Sequence, residues 1–263
     1  MIGSPRVPLL VAAAQPTCVA HDVAANALAH AGLVRAAAAR VVVFPEMSLT
    51  GYEFDAVPVA PDDPRLAPIV AACAETGTVA LIGAPVAASD ATAVSPHAAA
   101  SGPGGSAWPS GVAAKHIGVL AIDGDGARVA YRKMFLGGAE PEHFVPGDAA
   151  AVLEVDGWRL GLAVCKDTGV AEHAARTCDL GIDAYVAGAL DGEHEIAVQD
   201  ERARRTATTY GVWVVTASFA GSTGAGYDDA AGRSRIWNPA GSVVAEAGPE
   251  TGAYARATLG VSS

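Results

Sequence analysis

The run Gly161-Leu-Ala-Val-Cys165-Lys-Asp167 joins a short apolar strand to a polar turn that begins with a thiol. In α/β proteins, ligands gather at the carboxyl ends of the strands, where loops hold chemical groups over a rigid sheet. A cysteine alone is weak evidence, because most buried cysteines act as small apolar side chains. The other cysteines, Cys18, Cys73 and Cys178, show no metal-ligand spacing. Cys165 is therefore a candidate nucleophile only in combination with other strand ends.

Two further apolar strands end in charged residues of catalytic type. Val41-Val-Val-Phe-Pro45 leads to Glu46, and the proline, which cannot donate to a sheet, places this glutamate at the strand tip. Arg128-Val-Ala-Tyr-Arg132 follows a predicted hairpin turn and leads to Lys133. A carboxylate can accept a thiol proton, a thiolate can attack carbon, and an ammonium can stabilise developing negative charge. Taken singly, Glu46 and Lys133 are typical of solvated strand ends, so only the joint pattern favours acyl-transfer chemistry.

The chain resembles the nitrilase, or carbon-nitrogen hydrolase, superfamily in motifs that follow one another in order. Phe44-Pro-Glu46-Met-Ser-Leu-Thr-Gly-Tyr52 resembles the first motif, Tyr131-Arg-Lys133 the second, and Gly161 to Asp167 the third. The segment from Gly232 to Gly241 is similar to a late hairpin of the family. The resemblance thus extends from Leu9 to about Leu259.

This resemblance implies an α/β fold, a four-layer α-β-β-α sandwich formed by residues 1–263 as one domain. It also implies a catalytic triad of Glu46, Lys133 and Cys165. A second, structural glutamate is expected in the segment before Gly147 and is assigned to Glu142, with Glu140 as the alternative. Candidates for substrate binding, each of which could equally serve packing, are Tyr52, Phe135, Phe144, Lys166 and Asp167.

Two positions depart from the family pattern. Phe135 stands where the family usually has histidine, and Lys166 stands where it often has an aromatic residue. A cation beside Cys165 could lower the pKa of the thiol and favour an anionic substrate, or it could point to solvent. These departures affect the expected substrate more than the expected reaction.

The resemblance implies a cysteine-dependent hydrolase of non-peptide C–N bonds, in which an amide or carbamoyl substrate gives an acid plus ammonia or an amine through a thioester. It implies neither an organic cofactor nor a metal. An amidase is the first choice and a nitrilase the second, while acyl transfer and a catalytically silent binding or scaffold protein stay open. A Cys-His hydrolase with His143 or His173 as base is a further alternative.

The charge and composition of the chain argue against several classes of binding partner. The formal net charge is −11 in 263 residues, which argues against binding to nucleic acid or to an anionic membrane surface. No apolar stretch has the length of a membrane span, and the N-terminus lacks the apolar core of a signal peptide. Four cysteines without a disulfide framework suit a reducing compartment. We therefore expect a cytoplasmic enzyme with a small-molecule substrate, and the family resemblance implies a homodimer or higher homo-oligomer.

Apolar periodicity predicts alternating strands and helices along the chain. The stretch from Ala87 to Gly111 has no period and predicts a long surface loop. The other predicted elements are a first strand over Val7 to Ala14, a helix from the N-cap Asp22 to about Arg40, a helix through Leu66 to Cys73, a strand over Thr78 to Val86, helices over Val170 to Cys178 and Glu195 to Tyr210, strands over Ala184 to Ala187 and Val212 to Ala217, and a hairpin that pairs Ser234 to Trp237 with Ser242 to Ala245.

Overall fold

The computed structural model describes residues 7–88 and 114–260, which form two six-stranded sheets, a short two-stranded pair and four α-helices. The helices are α1 (Val23–Ala37), α2 (Ala67–Thr76), α3 (Ala171–Cys178) and α4 (Ile196–Tyr210). The strands are β1 (Leu9–Ala14), β2 (Val41–Val43), β3 (Val79–Ala87), β4 (Lys115–Asp123), β5 (Gly126–Arg132), β6 (Val152–Val155), β7 (Trp158–Val164), β8 (Ala184–Ala189), β9 (Trp213–Ser218), β10 (Ala220–Gly221), β11 (Ala230–Ala231), β12 (Arg235–Trp237), β13 (Val243–Glu246) and β14 (Tyr254–Leu259).

Each large sheet has a parallel centre and antiparallel edges. The first sheet has the order β14-β1-β2-β3-β4-β5, and the second has the order β13-β12-β9-β8-β7-β6. Strands β1, β2 and β3 are parallel, as are β7, β8 and β9. Strand β5 runs in the same direction as β2, because two antiparallel pairings separate it from β3. The carboxyl ends of β2 and β5, which lead to Glu46 and Lys133, therefore lie at one edge of the first sheet.

Alternate residues of the strands belong to different cores. Val11 and Val43 of the first sheet share a central apolar cluster with Leu162 and Val215 of the second. On the opposite faces, α1 and α2 pack against the first sheet, while Ala203 of α4 belongs to the cluster on the second. This separation is the one expected for the predicted α-β-β-α order, and the predicted α/β class is confirmed.

The elements differ in places from those predicted. Helix α1 ends at Ala37, because Ala38 adopts a left-handed conformation with φ of 44°. Strand β14 was not expected from the sequence, since its alanines and polar residues give little apolar contrast, yet it pairs with β1 along its whole length. The predicted loop from Ala87 to Gly111 lies, from residue 89 onward, outside the described residues. Among the described residues, no helix combines the length and apolarity that a membrane span needs.

A buried glutamine ties the end of β1 to two distant turns. The side chain of Gln15 is fully buried and donates to the carbonyl oxygens of Gly248 (3.0 Å) and Glu250 (2.8 Å). Its Oε1 accepts a hydrogen bond from the Ser234 backbone N–H (2.7 Å). One side chain therefore links the first sheet to the segments that flank the β12–β13 hairpin.

We predict that Gln15→Leu lowers the free energy of unfolding by about 1–3 kcal/mol, because it leaves the Ser234 N–H buried without its acceptor. Urea unfolding followed by circular dichroism measures the change. Thr251→Ala, at an exposed position of the adjoining turn, is the control and should leave the midpoint nearly unchanged. Equal midpoints for the two variants would contradict a stabilising link through Gln15.

Candidate active site

Glu46 lies in a tight turn between the two sheets. Pro45 ends the β2 pairing, and the side chain of Glu46 is fully buried. A Cβ at Gly188 of β8 would lie 2.6 Å from the Phe44 carbonyl oxygen, and a Cβ at Gly83 of β3 would lie 2.3 Å from that of Pro45. Glycine at both positions therefore lets β3 and β8 approach the turn that carries the carboxylate.

Lys133 follows β5 and is also fully buried. Its Nζ donates to Glu46 Oε1 and to Glu140 Oε1, both at 2.7 Å. Its backbone is fixed by a hydrogen bond from its N–H to the Ile117 carbonyl (2.8 Å) and one from the Gly147 N–H to its own carbonyl (2.7 Å). A buried ammonium is stable only with such partners, because desolvation of an unpaired charge is costly.

The second glutamate of this cluster is Glu140, which corrects the assignment to Glu142. Glu140 is buried, and its Oε1 also accepts a hydrogen bond from the Tyr52 hydroxyl (2.5 Å), while its Oε2 accepts one from the Gly137 N–H (2.7 Å). Glu142 is exposed, at the far end of the short 3-10 helix that Glu140 begins. The register of this helix turns one carboxylate inward and the other to solvent, which spacing alone did not reveal.

Cys165 lies at the junction between β7 and a short 3-10 helix. Its φ of 42° is in the left-handed region, which costs a residue with a side chain of order 1–3 kcal/mol unless its surroundings hold it. The Thr168 hydroxyl donates to the Cys165 carbonyl (2.7 Å), and the thiol lies 3.7 Å from the Leu190 carbonyl oxygen. The half-buried thiol is thus fixed at the carboxyl end of the second sheet.

Asp167 connects the cysteine turn to the lysine loop. Its Oδ2 accepts hydrogen bonds from the Val164 N–H (2.9 Å) and the Tyr131 hydroxyl (2.7 Å), and its Oδ1 accepts one from the Phe135 N–H (2.9 Å). The Tyr131 hydroxyl also lies 2.8 Å from His173 Nε2. Asp167 is fully buried, so its function here is to hold the ends of β5 and β7 together.

The environment shifts the pKa values of the three central groups. Burial raises the pKa of Glu46 to about 7; Lys133 opposes this rise and Glu140 adds to it. Burial acts to lower the pKa of Lys133, but the charges of Glu46, Cys165 and Glu140 outweigh it, so this pKa is raised. Burial, and next the charge of Glu46, raise the pKa of the Cys165 thiol, which Lys133 only partly offsets. At neutral pH the resting site therefore holds a charged lysine and a protonated thiol.

A cavity of about 340 Å³ opens onto Cys165, Lys133 and Glu140. Of the five substrate-binding candidates, Tyr52 and Lys166 line it. The other three candidates do not line the cavity, which corrects their assignment. A hydrogen bond joins Asp167 to the Phe135 backbone. Phe144 is buried and packs against Phe54 and the Lys115 ammonium. The cavity is also lined by residues that no sequence motif singled out: Phe54, Leu190, Asp191, Glu195, Arg202 and Tyr227.

Comparison with protein families matches a model described as carbon-nitrogen hydrolase over residues 10–262. The chain belongs to the carbon-nitrogen hydrolase family. No curated protein matches it in a sequence search.

Solved structures of the nitrilase superfamily share the fold at low sequence identity. A variant of the Nesterenkonia AN1 amidase is 21% identical, with a TM-score of 0.77 over 96% of this chain and 91% of that one. A superfamily protein of Xanthomonas campestris with an arsenic adduct in its active site is 17% identical, with a TM-score of 0.78 over 97% and 91% of the two chains. Saccharomyces cerevisiae Nit3 is 20% identical, with a TM-score of 0.77 over 97% and 90%.

The alternative histidine bases lie elsewhere in this carbon-nitrogen hydrolase. His173 is buried between the hydroxyls of Tyr131 and Tyr185, and burial lowers its pKa. His143 packs against the ring of Phe54. Neither lines the cavity that contains Cys165.

Within residues 7–88 and 114–260, one group of side chains has ligand atoms close enough together for a metal ion. His21, Glu53 and Asp55 lie within 4.8 Å of one another at the surface, and none of them lines the cavity. Exposed groups of this kind commonly form ordinary ion pairs.

We predict that Asp167→Asn lowers the free energy of unfolding by about 1–3 kcal/mol, because an amide NH₂ would face donors that now share a carboxylate. Urea denaturation is the measurement. Asp179→Asn, at the exposed C-terminal end of α3, makes the same charge change and should have little effect. A loss shared by both variants would point to charge rather than to the hydrogen bonds of Asp167.

Proposed function

We propose that this carbon-nitrogen hydrolase is an amidase with Cys165 as nucleophile, Glu46 as general base and Lys133 as electrostatic stabiliser. The observation that carries the proposal concerns the two oxygens of Glu46. Oε1 accepts the hydrogen bond from Lys133, whereas buried Oε2 has no partner among the described residues. The thiol of Cys165 lies near enough to affect the pKa of this carboxylate, so Oε2 is the oxygen available to accept its proton.

The first half of the reaction forms a thioester on Cys165. Glu46 takes the thiol proton as sulfur attacks the amide carbon, and the developing oxyanion is stabilised by Lys133 and the backbone N–H of Lys166. This N–H lies in the first turn of the 3-10 helix, where donors have no acceptor within the helix. The protonated Glu46 then gives its proton to the nitrogen, the C–N bond breaks, and ammonia leaves.

Hydrolysis of the thioester repeats this chemistry with water. Glu46 accepts a proton from water as the water oxygen attacks the thioester carbon. The carbon–sulfur bond then breaks and releases the acid. The proton returns to the sulfur. Glu140 holds Lys133 in place through both halves of the reaction, which is a positioning role.

The raised pKa of the Cys165 thiol supports proton transfer during attack rather than a thiolate formed beforehand. Support for amides also comes from the Nesterenkonia amidase, whose fold the chain shares. An activity assay can also favour one of the competing functions. These are hydrolysis of carbamoyl compounds, hydrolysis of nitriles, acyl transfer, and binding without catalysis. The homodimeric state and the cytoplasmic location stay predictions.

We predict that the native protein releases ammonia from short aliphatic amides and that Cys165→Ala and Glu46→Gln each lower kcat/KM by at least about a hundredfold. A coupled ammonia assay over short amides, carbamoyl compounds and nitriles measures both rate and class. Cys73→Ala is the matched control, since this buried cysteine contacts the Ile122 carbonyl and does not line the cavity. Glu46→Gln with most activity retained would favour a different base, and preferred release from nitriles would favour a nitrilase.

We predict that kcat/KM for a neutral amide falls about tenfold per pH unit below about 7, because the base must be ionised and burial raises the pKa of Glu46 to about 7. A neutral substrate removes the pH dependence that would come from charge interactions between the substrate and the cavity residues. An acid limb centred near 4.5, the ordinary value for a glutamate, would contradict a buried base at this position.

A further inference from the structure

Asp191 is a buried carboxylate that the proposed chemistry leaves without a function. Asp191 follows β8, is 5% exposed as a residue, and lines the cavity that contains Cys165. Its Oδ2 is buried and has no hydrogen-bond partner among the described residues. Buried polar atoms are nearly always paired, so an unpartnered carboxylate oxygen on a residue that lines a cavity indicates a place for a ligand donor.

Asp191 lies close to Cys165, the proposed nucleophile. The preceding carbonyl, that of Leu190, lies 3.7 Å from the Cys165 thiol. The charge of Asp191 is among the causes that raise the pKa of this thiol. A ligand group that reaches Asp191 would therefore lie only a few bonds from a carbonyl carbon under attack by Cys165.

Of the three charged groups that act on the pKa of Asp191, Glu195 and Asp200 are acidic and Arg202 is basic, and this excess of negative charge favours a cation. Glu195 lines the same cavity, and its Oε2 accepts a hydrogen bond from the Gly192 N–H. Arg202 of α4 also lines the cavity, but no hydrogen bond or ion pair joins it to Asp191 in the part of the chain that the structure describes. Burial, then Glu195 and Asp200, raise the pKa of Asp191 to about 7, with Arg202 opposing. A bound cation would stabilise the ionised carboxylate and supply the missing donor.

We propose that Asp191 binds a primary ammonium group of the substrate, so that the preferred substrates are short amides that carry an amine within a few carbons of the scissile C–N bond. This inference rests on the proposed amidase function and adds a substrate class to the same site. Glu195 contributes negative charge at the cavity wall, and the rings of Tyr52, Phe54 and Tyr227 supply its apolar side. Lys166 and Arg202 also line this cavity and would instead favour an anion, which defines the competing result.

Binding and turnover of three matched amides test the proposal separately. The ligands are 3-aminopropanamide, which is cationic, butanamide, which is its neutral isostere, and succinamate, which is anionic. Calorimetry with the Cys165→Ala variant measures affinity without hydrolysis, and ammonia release by the native protein measures turnover. The expected result is binding of 3-aminopropanamide about tenfold or more tighter than butanamide, as a hydrogen bond to a charged group would give.

Variants at the carboxylate identify the residue responsible. Asp191→Asn should bring the ratio of the affinities for 3-aminopropanamide and butanamide close to one. Asp191→Glu, which keeps the charge, should retain part of the preference for 3-aminopropanamide. Glu193→Gln is the matched control, because Glu193 is exposed two residues along the same loop and does not line the cavity. It should leave the ratio unchanged. If Asp191→Asn does not fold, the three affinities measured on the Cys165→Ala protein still decide whether the cavity prefers a cation.

The outcomes separate this inference from the proposed function. Equal affinity for the cationic and neutral amides, or tighter binding of succinamate, would overturn the ammonium site even if every amide is hydrolysed. Tight, Asp191-dependent binding of 3-aminopropanamide without ammonia release from any ligand would support the site and overturn the amidase.

Discussion

The site depends on one buried ammonium shared between two carboxylates. Lys133 donates to Glu46 and to Glu140 with its side chain wholly removed from water. Removing the ammonium from such a group would leave two buried carboxylates without compensation, and loss of one partner of a buried pair is strongly destabilising. Because two carboxylates share one ammonium, the cluster keeps a net negative charge. This charge favours acceptance of the thiol proton. The same arrangement therefore holds the site together and would supply the proposed base, Glu46.

Three separate parts of the fold bring these groups together. The carboxyl ends of β2 and β5 share an edge of the first sheet, and the end of β7 faces them from the second. Asp167 then connects the last two by accepting hydrogen bonds from Val164, Tyr131 and Phe135. Small residues make the approach close enough, since a side chain at Gly188 would meet the backbone of the Glu46 turn. A left-handed Cys165 is tolerated because this framework fixes the residues on both sides of it.

The sequence could predict those features that local pattern controls. Apolar strands that end in Glu46, Lys133 and Cys165 indicated the residues that the structure brings to one cavity or its buried wall, and the family resemblance of the same motifs implied the α/β class. It could not distinguish Glu140 from Glu142, because the direction of each carboxylate depends on a short 3-10 helix whose register has no signal in composition. Phe144 and Asp167 were candidates for substrate contact, but both are buried in packing and hydrogen bonds behind the cavity. Strand β14 was missed because pairing with β1, rather than its own propensity, gives it its form.

The residues that would select a substrate come from different elements than those that would perform the reaction. Glu46, Lys133 and Cys165 follow β2, β5 and β7, whereas Asp191 follows β8 and Arg202 belongs to α4. A substitution in the second group can alter the charge of the cavity wall without moving the Lys133 hydrogen bonds, because that ammonium donates to Glu46 and Glu140 instead. Such a division explains why the family motifs indicate the reaction but are silent on the substrate. The residue that carries most information about the substrate is then one without a motif. It is Asp191, whose buried Oδ2 lacks a hydrogen-bond partner among the described residues and whose charge acts on the thiol of Cys165, the proposed nucleophile.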